Sequence, residues 1–239
     1  MNNAMRCLSA FLFCLALSIF SIPAHAAGDN FRSPDEFMLW IENYVEHPEP
    51  ERIPAAFGSI QSAALIRISP DFVPILGGFF AAAFQHHPER VADWVAAMAR
   101  DLNADSTPVF LQTMFLADSS EMGEVVARQP EQFQNPRFLP LFKSFAELTP
   151  IDGENAILIW LGAFLMSGDA APVEHIIGAL HGQTQASRKA FQILANLVPK
   201  SPRLRAICEN ALHTTDDSQL AEVLRQLPYE SAHAVTPVP

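Results

Sequence analysis

This 239-residue chain has few cysteines and none of the common catalytic motifs, which argues against a disulfide-stabilised protein and against the enzyme classes that those motifs mark. The three cysteines are Cys7, Cys14 and Cys208, and the first two lie in an N-terminal segment that we expect to be removed, so no internal disulfide is expected. No G-x-S-x-G, S-x-x-K, H-E-x-x-H, C-x-x-C or G-x-x-x-x-G-K string occurs. Alternating runs of β-branched residues are also missing, which argues against strands. We therefore expect an all-α fold with no catalytic, cofactor or metal motif.

Basic residues are few, and no dense cluster of them is present. Arg6 is the only one of the 15 basic residues within residues 1–26, whereas all 26 acidic residues come later. The rest of the chain therefore holds 14 basic and 26 acidic residues, a formal net charge of −12. A surface this acidic repels nucleic acid and anionic lipid. We expect no nucleic-acid partner.

Residues 1–26 have the pattern of a cleavable signal peptide. Arg6 provides a positive start, residues 7–20 form an apolar run, and Pro23 ends it. Ala24-His25-Ala26 matches the small-x-small cleavage pattern, which predicts cleavage between Ala26 and Ala27. We therefore expect a periplasmic or secreted protein with no transmembrane segment in the mature chain. The alternatives are that the segment is kept, either as a buried N-terminal helix or as an anchor.

The rest of the chain repeats apolar residues at three- and four-residue spacing, which is typical of amphipathic helices. Candidate N-caps stand near prolines that can begin a helix: Ser33, Thr107, Asp169 and Ser201. We predict one domain at residues 27–227, built as an irregular, solenoid-like array of ten to twelve short helices stacked as antiparallel hairpins. Residues 228–239 are predicted to be a disordered tail. The predicted helices are 34–46, 51–66, 72–86, 88–102, 107–117, 119–129, 136–147, 153–167, 170–181, 184–198, 202–213 and 216–227.

An internal repeat supports this architecture. At an offset of 120 residues Trp40 aligns with Trp160, and Gly58 aligns with Gly178. A third copy follows Phe84, where the His-Pro-Glu sequence at 87–89 echoes the one at 47–49. Because single helical hairpins cannot bury their apolar faces, we expect them to stack on their neighbours. Chance similarity between amphipathic helices is the alternative explanation.

The repeat pattern resembles helical-hairpin repeat proteins of the tetratricopeptide and HEAT type. It matches neither consensus, so the peptide groove of the tetratricopeptide family is not carried over. The stretch Ile159-Trp160-Leu161-Gly162-Ala163-Phe164-Leu165-Met166-Ser167-Gly168-Asp169 is similar to a segment of exported bacterial helical proteins of unassigned function. That resemblance implies a helical fold and an exported compartment, and it implies no activity.

These features favour a periplasmic interaction module without catalytic activity, whose partner is an envelope protein or peptide. The repeat would place the turns that contain His47, His87 and Asp169 along one edge. These three residues are the candidate interaction surface.

Two other hypotheses remain open. The 18 phenylalanines and three tryptophans suggest a carrier with a Phe-rich cavity for a small apolar ligand or lipid, although core packing explains the same residues. The third hypothesis is a hydrolase assembled from His86, His87, Glu89 and Asp93.

Overall fold

The computed structural model describes residues 31, 33–60, 66, 69–119, 144–148, 151, 153–182 and 184–229. Within these residues every regular element is helical and no strand occurs, which confirms the predicted all-α fold. The α-helices are α1 Pro34–Asn43, α2 Ile53–Gly58, α3 Phe72–His86, α4 Val91–Met98, α5 Ser106–Leu116, α6 Glu154–Ser167, α7 Ala170–Gly178, α8 Gln185–Leu197, α9 Pro202–Thr214 and α10 Ser218–Arg225. Short 3-10 helices occur at Pro50–Arg52, Pro88–Arg90, Ala99–Asp101 and Phe145–Leu148.

The described residues divide into two compact units. We call residues within Ile19–Thr149 and Leu158–Gly168 the N-terminal unit, and those within Pro150–Ile157 and Asp169–Pro239 the C-terminal unit. The single domain and its solenoid arrangement stay predictions. Three predicted segments lie wholly or mostly outside the described residues: the signal peptide, the helices expected at 119–129 and 136–147, and the tail. In the part of the chain that is described, no helix combines the length and apolar character needed to cross a membrane.

Side chains cap several helices as the sequence predicts. The Ser33 and Ser201 hydroxyls accept backbone N–H bonds at the starts of α1 and α9. Thr107 is not a cap, which corrects the prediction. Asn103 Oδ1 accepts the N–H groups of Asp105 and Ser106, so α5 begins one residue before Thr107.

The core of the N-terminal unit is built around α3, which packs against α5. All but three of its 15 residues are buried, and Phe79 and Phe80 have no exposed surface. The backbones of α3 and α6 meet at glycines. A Cβ at Gly78 would overlap the Ile159 carbonyl, and a Cβ at Gly162 would overlap the Ile75 carbonyl. The missing side chains therefore permit this close helix crossing.

Aromatic rings form a continuous chain through the same unit. Successive ring centroids lie 5.2 to 5.9 Å apart, which is contact distance for tilted and edge-to-face pairs. The phenylalanine-rich helices thus fill their own core at these positions. In order of contact the rings are those of Phe31, Trp40, Tyr44, Phe79, Phe80, Phe57 and Phe110.

In the C-terminal unit α7 packs against α9, and α9 packs against α10. Lys189 of α8 lies 3.9 Å from the Glu154 carboxylate in the first turn of α6. Cys208 of α9 is fully buried, and burial raises the pKa of its thiol to about 12. It behaves as a small apolar core residue, as its helical spacing predicts.

Candidate functional site

Two Pro-Glu-Arg turns in the N-terminal unit share one backbone conformation. The residue before the first turn, Glu49, has φ −126° and ψ 69°, and the residue before the second, His87, has φ −130° and ψ 58°. In each turn the arginine N–H donates to the carbonyl of that residue at 2.9 Å. An α-helix follows directly, α2 after the first turn and α4 after the second. The same local sequence therefore builds the same helix entry twice.

These two turns do not follow the register in which the His-Pro-Glu sequences align, and the repeat itself stays a prediction. The His-Pro-Glu sequences at 47–49 and 87–89 align in sequence, but Pro48 lies in a loop while Pro88 begins a 3-10 helix. The structural equivalents are Pro50–Arg52 and Pro88–Arg90, an offset of 38 residues rather than 40. Glu49 is thus the counterpart of His87. The tripeptide Pro-Glu-Arg, which occurs at both places, is the signal that could have revealed this.

The first turn is fixed by a buried arginine. The Arg52 residue is 6% exposed, and its guanidinium lies 4.4 Å from the Phe31 ring centroid. The Glu49 carboxylate accepts hydrogen bonds at 2.9 Å from both Arg52 Nη1 and Trp40 Nε1. A buried charge requires this kind of pairing. Arg52 therefore ties the turn to α1 and to the chain just before it.

The second turn has the same backbone but presents its polar side chains to solvent. The Glu89 side chain is 65% exposed and that of Arg90 is 44% exposed, and the two lie 3.7 Å apart. His87 Nδ1 lies 3.7 Å from the Glu89 carboxylate, and the His87 ring packs edge-on against Trp94 of α4. The two turns therefore share a backbone conformation, but the arginine side chain is buried in the first turn and exposed in the second.

The charges of both turns act on the buried hydroxyl of Tyr44. This residue is 2% exposed, and its hydroxyl makes no hydrogen bond within the described structure. Burial, together with the charges of Glu51 and Glu49 and against that of Arg90, raises the pKa of this hydroxyl to about 12. Since Glu51 belongs to the first turn and Arg90 to the second, both turns bring charge to this one hydroxyl. Sequence reasoning could not identify it, because only folding gives the phenol its surroundings.

The exposed charge around the two turns is mainly negative. Four exposed carboxylates face solvent at and beside the turns, against one exposed guanidinium, that of Arg90. We call His47, Glu51, His87, Glu89 and Arg90 the turn surface. The exposed carboxylates are those of Glu46, Glu51, Glu89 and Asp93.

The three candidate interaction residues are distributed over both units. His47 is exposed in the loop after α1, and His87 is half-buried at the second turn, both in the N-terminal unit. Asp169 stands at the N-cap position of α7 in the C-terminal unit, so it is not part of the turn surface. A common edge for all three stays a prediction.

Of the four residues in the hydrolase hypothesis, two are brought close together by the second turn. His87 and Glu89 approach each other, but among the residues that the structure describes no group of three or more histidine, cysteine, aspartate or glutamate side chains could hold a metal ion.

No protein-family model, curated protein or solved structure matches this chain.

Proposed function

We propose that this chain is an exported interaction module without catalytic activity, which binds an envelope protein or peptide through the turn surface. Support for export comes from the N-terminal sequence pattern. Support for the surface comes from the two Pro-Glu-Arg turns.

The observation that carries the proposal is the contrast between these turns. Their backbones agree closely, yet Arg52 is buried against its neighbours while Glu89 and Arg90 extend into solvent. A turn fixed by packing loses little conformational entropy when it binds a partner. The exposed charged side chains, Glu51 on this turn and Glu89 and Arg90 on the other, favour fast and selective association. This combination suits recognition of another macromolecule.

Affinity capture with charge-reversal variants tests the proposal. C-terminally tagged mature protein would be cross-linked in the envelope fraction, and the captured proteins quantified by mass spectrometry. The double variant Glu51→Lys, Glu89→Lys reverses two exposed charges of the turn surface. We expect it to reduce capture of a dominant partner by about tenfold or more, because rim charges control encounter and register.

The matched control reverses two exposed carboxylates in the C-terminal unit, Glu209→Lys with Glu222→Lys. Both double variants change the net charge equally, so non-specific attraction affects them alike. Equal loss in the two variants, or unchanged capture in both, would contradict a binding role of the turn surface.

The carrier hypothesis has less support, because the described phenylalanine rings contact one another. Native mass spectrometry of the purified mature protein checks it directly. A stoichiometric apolar ligand retained in the spectrum would favour a carrier, and the unliganded mass agrees with an interaction module.

A further inference from the structure

The start of α10 is held by one aspartate that uses both of its carboxylate oxygens. Asp217 Oδ1 accepts the backbone N–H groups of Gln219 at 2.8 Å and of Leu220 at 3.0 Å, which caps the helix. Asp217 Oδ2 lies 3.4 Å from His181 Nδ1. Since His181 stands in the turn between α7 and α8, this contact joins α10 to a segment that is distant in sequence.

Packing holds only part of α10. Ala221 and Leu224 are the buried residues of the helix, and Leu227 is buried just after it. At the far end the Tyr229 hydroxyl donates to the Leu224 carbonyl at 2.9 Å. Elements with few buried apolar residues are the ones that open locally at low free-energy cost. A change in the polar contacts at the start of α10 should therefore shift how often this helix opens.

The charge that acts on the Asp217 carboxylate is that of His181. Farther along α10, Glu222 and Arg225 pair with each other at 3.2 Å. The remaining titratable side chains on α7, the C-terminal half of α9 and the α9–α10 connection are Glu174, His175, Cys208, Glu209, His213 and Asp216. Of all these groups, His181 is the one whose charge lowers the pKa of Asp217.

These contacts make the hold on α10 depend on pH in two ranges. Imidazoles gain a proton between about pH 8 and pH 5, which turns a contact such as that of His181 with Asp217 into an ion pair. The pKa of Asp217 is lowered from 3.8 by hydrogen bonds from the Leu220 and Gln219 N–H groups and by the His181 charge. Asp217 thus contributes fully to stability above pH 3.8, and the contribution is lost as pH falls through the lowered pKa. Both partners are charged in the mildly acidic range between.

We propose that His181 and Asp217 form a pH-sensitive latch that holds the start of α10 to the turn after α7. The latch is firmest in mildly acidic solution. It loosens towards higher pH as the imidazole loses its proton, and it opens in strong acid as the carboxylate gains one. Opening exposes the buried side chains of Ala221 and Leu224. Both latch residues belong to the C-terminal unit, so the latch does not depend on the function proposed for the turn surface.

Amide hydrogen exchange of the isotope-labelled full chain, followed by NMR over this pH range, tests the latch. Dividing each rate by its intrinsic value at the same pH gives protection factors for α10, and the amides of α3 report opening elsewhere. From about pH 8 to about pH 5 we expect α10 protection to rise about two- to fivefold, the range of an exposed ion pair. No matching rise is expected in α3.

Variants separate the ion pair from the helix cap. Asparagine caps helices about as well as aspartate, so Asp217→Asn removes the charge and keeps the cap. Asp217→Asn and His181→Gln should each abolish the rise in α10 protection. Asp217→Ala also removes the cap, and it should lower protection about twofold or more throughout the range. His213→Gln changes an exposed histidine of α9 and is the matched control, which should keep the rise.

Equal protection of α10 at the two ends of the pH range would contradict the latch. A rise that survives in His181→Gln or Asp217→Asn, or that disappears in His213→Gln, would contradict it as well. A rise of the same size in α3 would mean that pH acts on the whole protein, and would also overturn the latch. Capture of a partner through the turn surface is unaffected by any of these results, so the two proposals can fail separately.

Discussion

Arg52 shows at the scale of a single residue how a charge can be held inside a helical protein. Its guanidinium lies over the Phe31 ring and pairs with Glu49, which also accepts from Trp40. Sequence could not predict this burial, because an arginine in a Pro-Glu-Arg turn is ordinarily solvated, as Arg90 is. Phe31, Trp40 and Glu49 come from separate segments, so only the folded chain assembles them around Arg52.

Removal of the Glu49 charge should therefore lower the free energy of unfolding more than removal of the nearby Glu51 charge. Glu49→Gln leaves the Arg52 guanidinium buried without its counter-ion, and we expect a loss of about 1–3 kcal/mol, below the value for a fully buried pair because Glu49 is partly exposed. Glu51→Gln, next along the chain and exposed, should change stability by less than about 0.5 kcal/mol. Urea denaturation followed by circular dichroism measures both, and equal losses would contradict the assigned role of Arg52.

The buried thiol of Cys208 should make the stability of the protein depend on pH in the alkaline range. Burial raises its pKa from the model-peptide value of 9.0 to about 12, so between these pH values the unfolded chain releases a proton that the folded chain retains. Its contribution to stability is full below pH 9 and is lost as pH rises towards 12. Cys208→Ala removes this loss. The stability difference between wild type and variant, measured by urea denaturation at pH 8 to 11, should shrink as pH rises. A constant difference would show that the thiol ionises alike in both states.

At the scale of elements, most helix ends were predictable because their signals are local. Helix α3 has the predicted bounds, α6 and α9 each differ from prediction by one residue at one end, and α8 differs by one residue at both ends. The predicted starts of α1 and α9 also agree with the structure, since Ser33 and Ser201 each place a cap beside a proline. The close crossing of α3 and α6 was not predictable, because it depends on glycines about 84 residues apart along the chain meeting in space.

The close helix crossing predicts that alanine is tolerated much less well at its two glycines than at glycines that end helices. Gly78→Ala and Gly162→Ala force a Cβ into a facing backbone, and each should destabilise the protein by about 2 kcal/mol or more. Gly58 and Gly178 each end a helix with open space where a Cβ would lie, so alanine there should be neutral or stabilise by up to about 1 kcal/mol. Thermal unfolding of the four variants checks the order, and similar midpoints for all four would refute the close packing.

At the scale of the whole molecule, the spacing of apolar residues predicted the fold class, while the proposed site depends on details that this spacing does not contain. Helical periodicity sufficed for an all-α fold because it extends over most of the chain. The turn surface required the correct register of the two Pro-Glu-Arg turns, which the His-Pro-Glu alignment missed by two residues. His47 and His87 of this surface were nevertheless found by sequence, because His47 lies three residues before the first turn and His87 directly before the second.

Site-specific photo-cross-linking tests the central claim, that the turn surface is where a partner binds. A photoreactive amino acid would replace Glu89 in the full chain expressed in living cells, with replacement of Glu222 in the C-terminal unit as the matched position; their side chains are equally exposed at 65%. We expect one discrete covalent adduct from position 89 and none from position 222. Adducts from position 222 with none from position 89 would contradict the account, as would the absence of any adduct from either position.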